Sequence, residues 1–220
     1  MKARDNPFST DRVLRVRYRL RGVAWEELLA RLARMRYRAA IVGPDGTGKT
    51  TLLEDLEPRL AARGFTPKPL RLDQDHPCLA PDFERQFFAQ LGRGDVILLD
   101  GAEQMSRWHW WLFRRRSRGA GGLVITSHRA GMLPTVLEAR TTPELLEELL
   151  EELLGPAATA HQAQARQLFE QHRGNLRLAL RAFYDLYADL PQAFPPMKAG
   201  AGRGPGTGRE QRRLREGASA

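Results

Sequence analysis

Cysteine is nearly absent: Cys78 stands alone among 220 residues, so no internal disulfide can form. The five histidines lack cysteine partners at zinc spacing, and a structural metal is not expected. Long apolar runs are missing as well. No stretch of about eighteen apolar residues exists to span a bilayer, and the opening MKARDNPFST has no apolar core of a secretory signal. The expected location is therefore the cytoplasm, with no membrane partner. Lysine is scarce too, at positions 2, 49, 68 and 198 only, although the chain carries a net charge of +9.

That charge sits at the ends. Residues 1–40 hold 11 basic against 4 acidic side chains and residues 191–220 hold 6 against 2, while the middle is close to neutral. A basic end can meet nucleic acid or simply keep a chain in solution, and composition does not choose between them. With 42% hydrophobic residues the length suits one good core plus a small appendage.

The periodicity argues an α/β protein. AWEELLARLARM from Ala24 puts Trp25, Leu28, Leu29 and Leu32 on one helical face. YRAAIV from Tyr37 reads as a buried strand, and KTTLLEDLEPRLAARG as a helix ended by Gly64. Further strands are read at 68–73, where Pro67 and Pro69 fit an edge, at 95–100 (DVILLD), at 122–128 (GLVITSH) and, more weakly, at 135–141. Residues 11–21 alternate apolar and arginine in part and read as an extended arm or edge strand. PELLEELLEELL and the segments either side of Gly174 read as helices, with Leu176, Leu180, Phe183 and Tyr187 in register. The expected layout is a basic arm and helix over 1–36, a core over 37–142 with a largely parallel sheet in a three-layer sandwich, a helical lid over 143–190, and a disordered Pro/Gly/Arg tail over 191–220.

The strongest chemical signal is AAIVGPDGTGKTTLLEDL. Gly43, Gly48, Lys49 and Thr50 match G-x-x-x-x-G-K-[ST], the P-loop, with a strand before and a helix after. Glycine lets the backbone turn its N–H groups inward on phosphate oxygens, and the helix N-terminus adds its positive end. Gly43, Pro44, Asp45, Gly46, Thr47, Gly48, Lys49, Thr50 and Thr51 are thus expected to cradle a nucleotide, Lys49 to reach its β- and γ-phosphates, and Thr50 to ligate Mg²⁺. Asp100, closing an apolar strand, fits the second Mg²⁺-side group, and Glu103 could orient the attacking water. TSHR ends the next strand, so Ser127, with Thr126 or His128 as register alternatives, would emerge beside Asp100.

The order P-loop, DVILLD, VITS resembles P-loop ATPases of the AAA+ family. RGNLRLAL is similar to that family's lid motif, which implies that Gly174 and Arg177 bring a sensor arginine to the nucleotide. NPF at Asn6–Phe8 is similar to the opening of some bacterial members, where this segment packs near the adenine. The resemblance implies ATP as ligand, with hydrolysis coupled to a conformational or partner-binding change. Gly101 departs from it, because the family's glutamate usually follows the aspartate directly. A trans-acting arginine is open among Arg114, Arg115, Arg116 and Arg118.

Two other readings stand beside this one. A small-molecule P-loop kinase would use Asp73 and Asp75 for an acceptor hydroxyl, and a binding switch would hold ATP without turnover. In EQMSRWHWWLFRRRSR, Trp108, Trp111 and Leu112 fall on one face and are expected to pack on the sheet, with Trp110 pointing elsewhere. That helix leaves a protein partner, a homo-oligomer or nucleic acid open.

Overall fold

The computed structural model describes residues 6–13 and 23–189. The elements run α1 (Thr10–Val13), α2 (Trp25–Arg34), β1 (Arg38–Val42), α3 (Lys49–Ala61), β2 (Thr66–Arg71), α4 (Pro81–Ala89), β3 (Asp95–Asp100), α5 (Arg107–Arg116), β4 (Gly122–Ser127), β5 (Thr135–Glu138), α6 (Pro143–Leu154), α7 (Gln162–Gln171) and α8 (Leu176–Asp189). The described start of the expected extended arm at 11–21 is helical, in α1, and the rest of that arm with all of the expected tail at 191–220 lies outside the described residues.

Among the described residues the sheet has five strands in the order β2-β3-β4-β1-β5, every pairing parallel. Strand β2 is an edge, as its prolines require. Thr66 N donates to Gly94 O at 2.8 Å and Leu72 N to Asp100 O at 2.9 Å, so even-numbered residues face β3. Pro67 and Pro69 turn their missing donors outward.

Period-two alternation sorts the buried strands onto two faces. Ala39, Ile41, Val96, Leu98 and Val124 join the leucines of α2 and α3 in one cluster. Ala40, Val42, Ile97, Leu99, Leu123 and Ile125 meet Met105, Phe113 and the phenylalanines of α4 in another. The result is the expected α/β sandwich of helix, sheet and helix layers. A third cluster joins α6, α7 and α8 through Leu146, Leu150, Ala165, Ala179 and Phe183, and Phe8 stacks into it at 5.3 Å from Phe183. Asn6 Nδ2 donates to Tyr184 O at 2.9 Å, so the NPF segment belongs with these helices.

Two further elements depart from expectation. Helix α4 was not anticipated, because its Phe83, Phe87 and Phe88 follow a loop rich in aspartate and proline. In α5 the expected faces are exchanged. Trp108 and Trp111 are 66% and 43% exposed, whereas Phe113 is buried and Trp110 packs partly against its cluster. The rotation follows from where the helix begins: Ser106 caps it by accepting from His109 N at 3.2 Å, and Phe113 seats against Phe88 at 5.1 Å.

Candidate functional site

All strands are parallel, so their C-terminal ends open on one side, and the chemistry gathers there. Strand β1 delivers Gly43, whose N–H donates to Ser127 O at 3.1 Å, and the loop then curls into α3. Gly46 (φ 72°) and Gly48 (φ 82°) take left-handed conformations that a side chain resists. Thr47 Oγ1 ties the loop to Pro44 O at 2.9 Å. Lys49 is buried at the start of α3, and its Nζ donates to Gly43 O and Pro44 O, each at 2.7 Å. Burial lowers the Lys49 pKa below its ordinary value, opposed by Asp45, Glu103 and Asp100 and assisted by Arg177. Those groups are thus brought within electrostatic reach of one ammonium. Thr51, one residue past Thr50 on α3, is half-buried.

Asp100 links the strands. Its Oδ2 accepts from Thr50 Oγ1 at 2.9 Å and its Oδ1 from Thr126 Oγ1 at 2.6 Å. Of the residues in TSHR it is Thr126 that faces Asp100, because β3 and β4 pair Leu99 with Ile125 and the next pair falls in register. Ser127 points to the other face, donating to Arg129 O at 2.9 Å. Thr126 Oγ1 also accepts from Gly101 N at 2.9 Å. Gly101 has φ 80°, and a Cβ there would stand 2.5 Å from Leu72 O, so no glutamate fits directly after Asp100.

The acidic side chain arrives two residues later. A single 3₁₀ turn, Ala102–Gln104, carries Glu103 back toward the loop, where its Oε1 lies 3.0 Å from His128 Nε2. The same His128 nitrogen lies 2.7 Å from Asp45 Oδ1. Glu103 Oε2 is buried and has no hydrogen-bond partner among the described residues. Such an atom is costly unless something else satisfies it.

The helical region closes over the loop from the other side. A Cβ on Gly46 would collide with Asn175 Oδ1 and stand 3.2 Å from Arg177 N, so the start of α8 rests on the P-loop. Asn175 caps α8, accepting from Leu178 N at 3.1 Å, and Thr141 Oγ1 donates to Gly174 O at 2.7 Å. Two helix N-termini, of α3 and α8, therefore converge on one turn, and Arg177 is exposed beside it. Asp73 and Asp75 are not brought into this group. Asp73 instead closes its own loop, accepting from His76 N at 2.7 Å.

Asn175 was not expected in the site, and Asp45 was expected there only as part of the nucleotide-cradling loop, without a partner at His128. Asn175 had a signal, an asparagine directly before a helical pattern. The pairing of Asp45 had none, because its partner lies 83 residues away at His128.

No protein-family model matches the chain, and no curated protein matches it. Among solved structures it is similar to a RuvB variant from Thermotoga maritima at 21% identity and TM-score 0.49, over 73% of this chain and 61% of that one. A second RuvB structure from the same organism, described as a Holliday junction branch migration motor, gives 21% identity and TM-score 0.46, over 78% and 64%. NtrX from Brucella abortus in complex with ATP gives 15% identity and TM-score 0.45, over 80% and 51%. The chain spans less than two thirds of the length of each of these three. The likeness is one of fold. No described helix is long and apolar enough to cross a membrane.

Proposed function

We propose that the chain binds ATP with Mg²⁺ and hydrolyses it in the manner of AAA+ ATPases, coupling nucleotide state to the position of α8. The observation that carries this reading is the convergence of Lys49, Thr50, Asp100, Glu103 and the Arg177 end of α8 on a single glycine turn.

The oxygens of Thr50 and Asp100, hydrogen-bonded to each other at the head of α3, are the hard donors that Mg²⁺ takes, and these two residues would hold it. When bound, the ion would neutralise charge on the β- and γ-phosphates. The loop N–H groups and Lys49 bind those phosphates, and Lys49 exchanges its two carbonyl acceptors for phosphate oxygens. Glu103 uses its unpartnered oxygen to hold and polarise water for attack on the γ-phosphorus. Arg177, carried by the lid helix, senses whether the γ-phosphate is present. Thr126 holds Asp100 in place, and Ser127 shapes the turn that carries His128.

Phosphate release from ATP by the purified protein tests the reading, with Lys49→Ala and Glu103→Gln measured alongside. Turnover that both variants lose supports it. ATP binding without release by wild type leaves the switch reading in its place, and phosphate found on an acceptor other than water would make the chain a kinase.

A further inference from the structure

Helix α5 turns a pair of indoles away from the core. Trp108 and Trp111 stack with ring centroids 5.0 Å apart and planes 18° apart, and the Arg115 guanidinium lies 5.7 Å from the Trp111 ring. At about 100° per residue, Arg107, Trp108, Arg114, Trp111 and Arg115 fall within one side of the helix. The opposite side, with Trp110 and Phe113, already serves the core. The fold accounts for the inner aromatics and leaves the outer pair in water.

The segment that carries this helix holds charge of one sign. From Gln104 to Leu137 there is no Asp or Glu, while six arginines occur. Arg116 is engaged, 3.0 Å from Glu84. Arg107, Arg114, Arg115 and Arg118 are exposed and have no carboxylate partner among the described residues. Past the C-terminal end of α5, burial chiefly, with Arg118 and then Arg93, lowers the pKa of Arg38, whose guanidinium donates to Ser117 O and Ala120 O.

We propose that this face of α5 binds single-stranded nucleic acid, with bases stacking on the Trp108–Trp111 pair and phosphates meeting Arg107, Arg114 and Arg115. An acidic protein surface would answer the charge and bury the indoles, an outcome that the polyglutamate and sedimentation arms below read, but the parallel indole pair edged by arginine is the form that a base and its phosphate match. A duplex would answer the charge too, but its bases are covered by their neighbours. Only an unpaired strand supplies phosphates and free aromatic faces at short repeat. The inference does not depend on ATP binding, since none of these residues belongs to the P-loop site.

The test titrates the full chain with a labelled oligothymidine of about 20 nucleotides, long enough to cover one site. A ribo-oligomer, a duplex of equal length and polyglutamate are titrated beside it, all without nucleotide, by fluorescence anisotropy. Expected are binding of the single strands ahead of duplex and polyglutamate, and weakening of about tenfold in a Trp108→Ala/Trp111→Ala variant. An Arg114→Glu/Arg115→Glu variant should also show a shallower dependence on salt. Circular dichroism checks that the variants, altered only at exposed positions, remain folded. Single-strand binding unchanged in the tryptophan variant would place it elsewhere on the chain and overturn the proposal. Equal affinity for duplex or polyglutamate would overturn it as well. So would a wild-type dimer in sedimentation that the tryptophan variant dissolves without change in oligonucleotide affinity, because the face would then join two copies.

Discussion

His128 Nε2 stands 3.0 Å from Glu103 Oε1, and the same nitrogen stands 2.7 Å from Asp45 Oδ1 in the P-loop. One imidazole thereby joins the turn after β3 to the loop after β1, and it engages only one oxygen of the glutamate. The other is left buried and without a hydrogen-bond partner among the described residues. If Glu103 acts on water as proposed, His128 is placed to aim it.

Replacement of Glu103 by Gln should therefore lower kcat by about 100-fold or more, the ordinary worth of a general base. His128→Ala should lower it by about tenfold, with a smaller change in KM for ATP, since the phosphate-binding groups stay in place. Steady-state phosphate release measures both. A rise in kcat on removing His128 would mean that the histidine restrains the glutamate instead of aiming it.

Thr126 Oγ1 both donates to Asp100 and accepts from Gly101 N, at a position 1% exposed. Thr126→Val keeps the shape and removes both bonds, leaving a backbone donor and a carboxylate oxygen without their partner. The expected loss is about 1–3 kcal/mol of stability in urea unfolding, with reduced turnover. Ser127→Ala releases only the turn to Arg129 and should cost less in both. Equal effects of the two substitutions would contradict the placement of Thr126 as the strand-end group that holds Asp100.

Gly101 is where the sequence departs from the family it resembles, and the backbone supplies the reason. Its left-handed φ and the nearby Leu72 O leave no room for a Cβ. Gly101→Glu, which would restore the adjacent acidic pair, should destabilise the fold by about 1–3 kcal/mol and fail to raise turnover. A stable, faster variant would show that the turn can rebuild itself and that Glu103 is dispensable.

The legible parts of this molecule are those written in local pattern. DVILLD is β3 residue for residue because a buried parallel strand needs an uninterrupted apolar run. Likewise the P-loop is legible in its pattern, and Gly48 within that pattern takes a left-handed angle that favours glycine. The α5 faces were misread because one-dimensional spacing offers two stripes, Trp108 with Trp111 and Trp110 with Phe113, and a helix cannot bury both. The choice was made by Phe88, on a helix with no amphipathic signature in its leading loop. His128 with Asp45 was hidden for a related reason, since it joins loops that only the sheet order brings together.

Lys49 carries a pH dependence whose sign can be worked out. Its pKa is lowered from 10.5 chiefly by burial, so over the interval below 10.5 the unfolded chain holds a proton that the folded chain has released. Stability then rises with pH across that interval, because the unfolded state binds more protons. Below the folded pKa both states are charged, and the full cost of burying the ammonium is present. Lys49→Met has no such titration. The stability of wild type relative to Lys49→Met should therefore be lowest near neutrality and increase as pH approaches 10.5, measured by urea unfolding along a pH series. ATP with Mg²⁺ reverses the disadvantage, because phosphate oxygens favour the ammonium. At neutral pH the nucleotide should raise the midpoint for wild type and not for the variant. A difference that falls with pH would mean that Asp45, Glu103 and Asp100 together outweigh burial at Lys49.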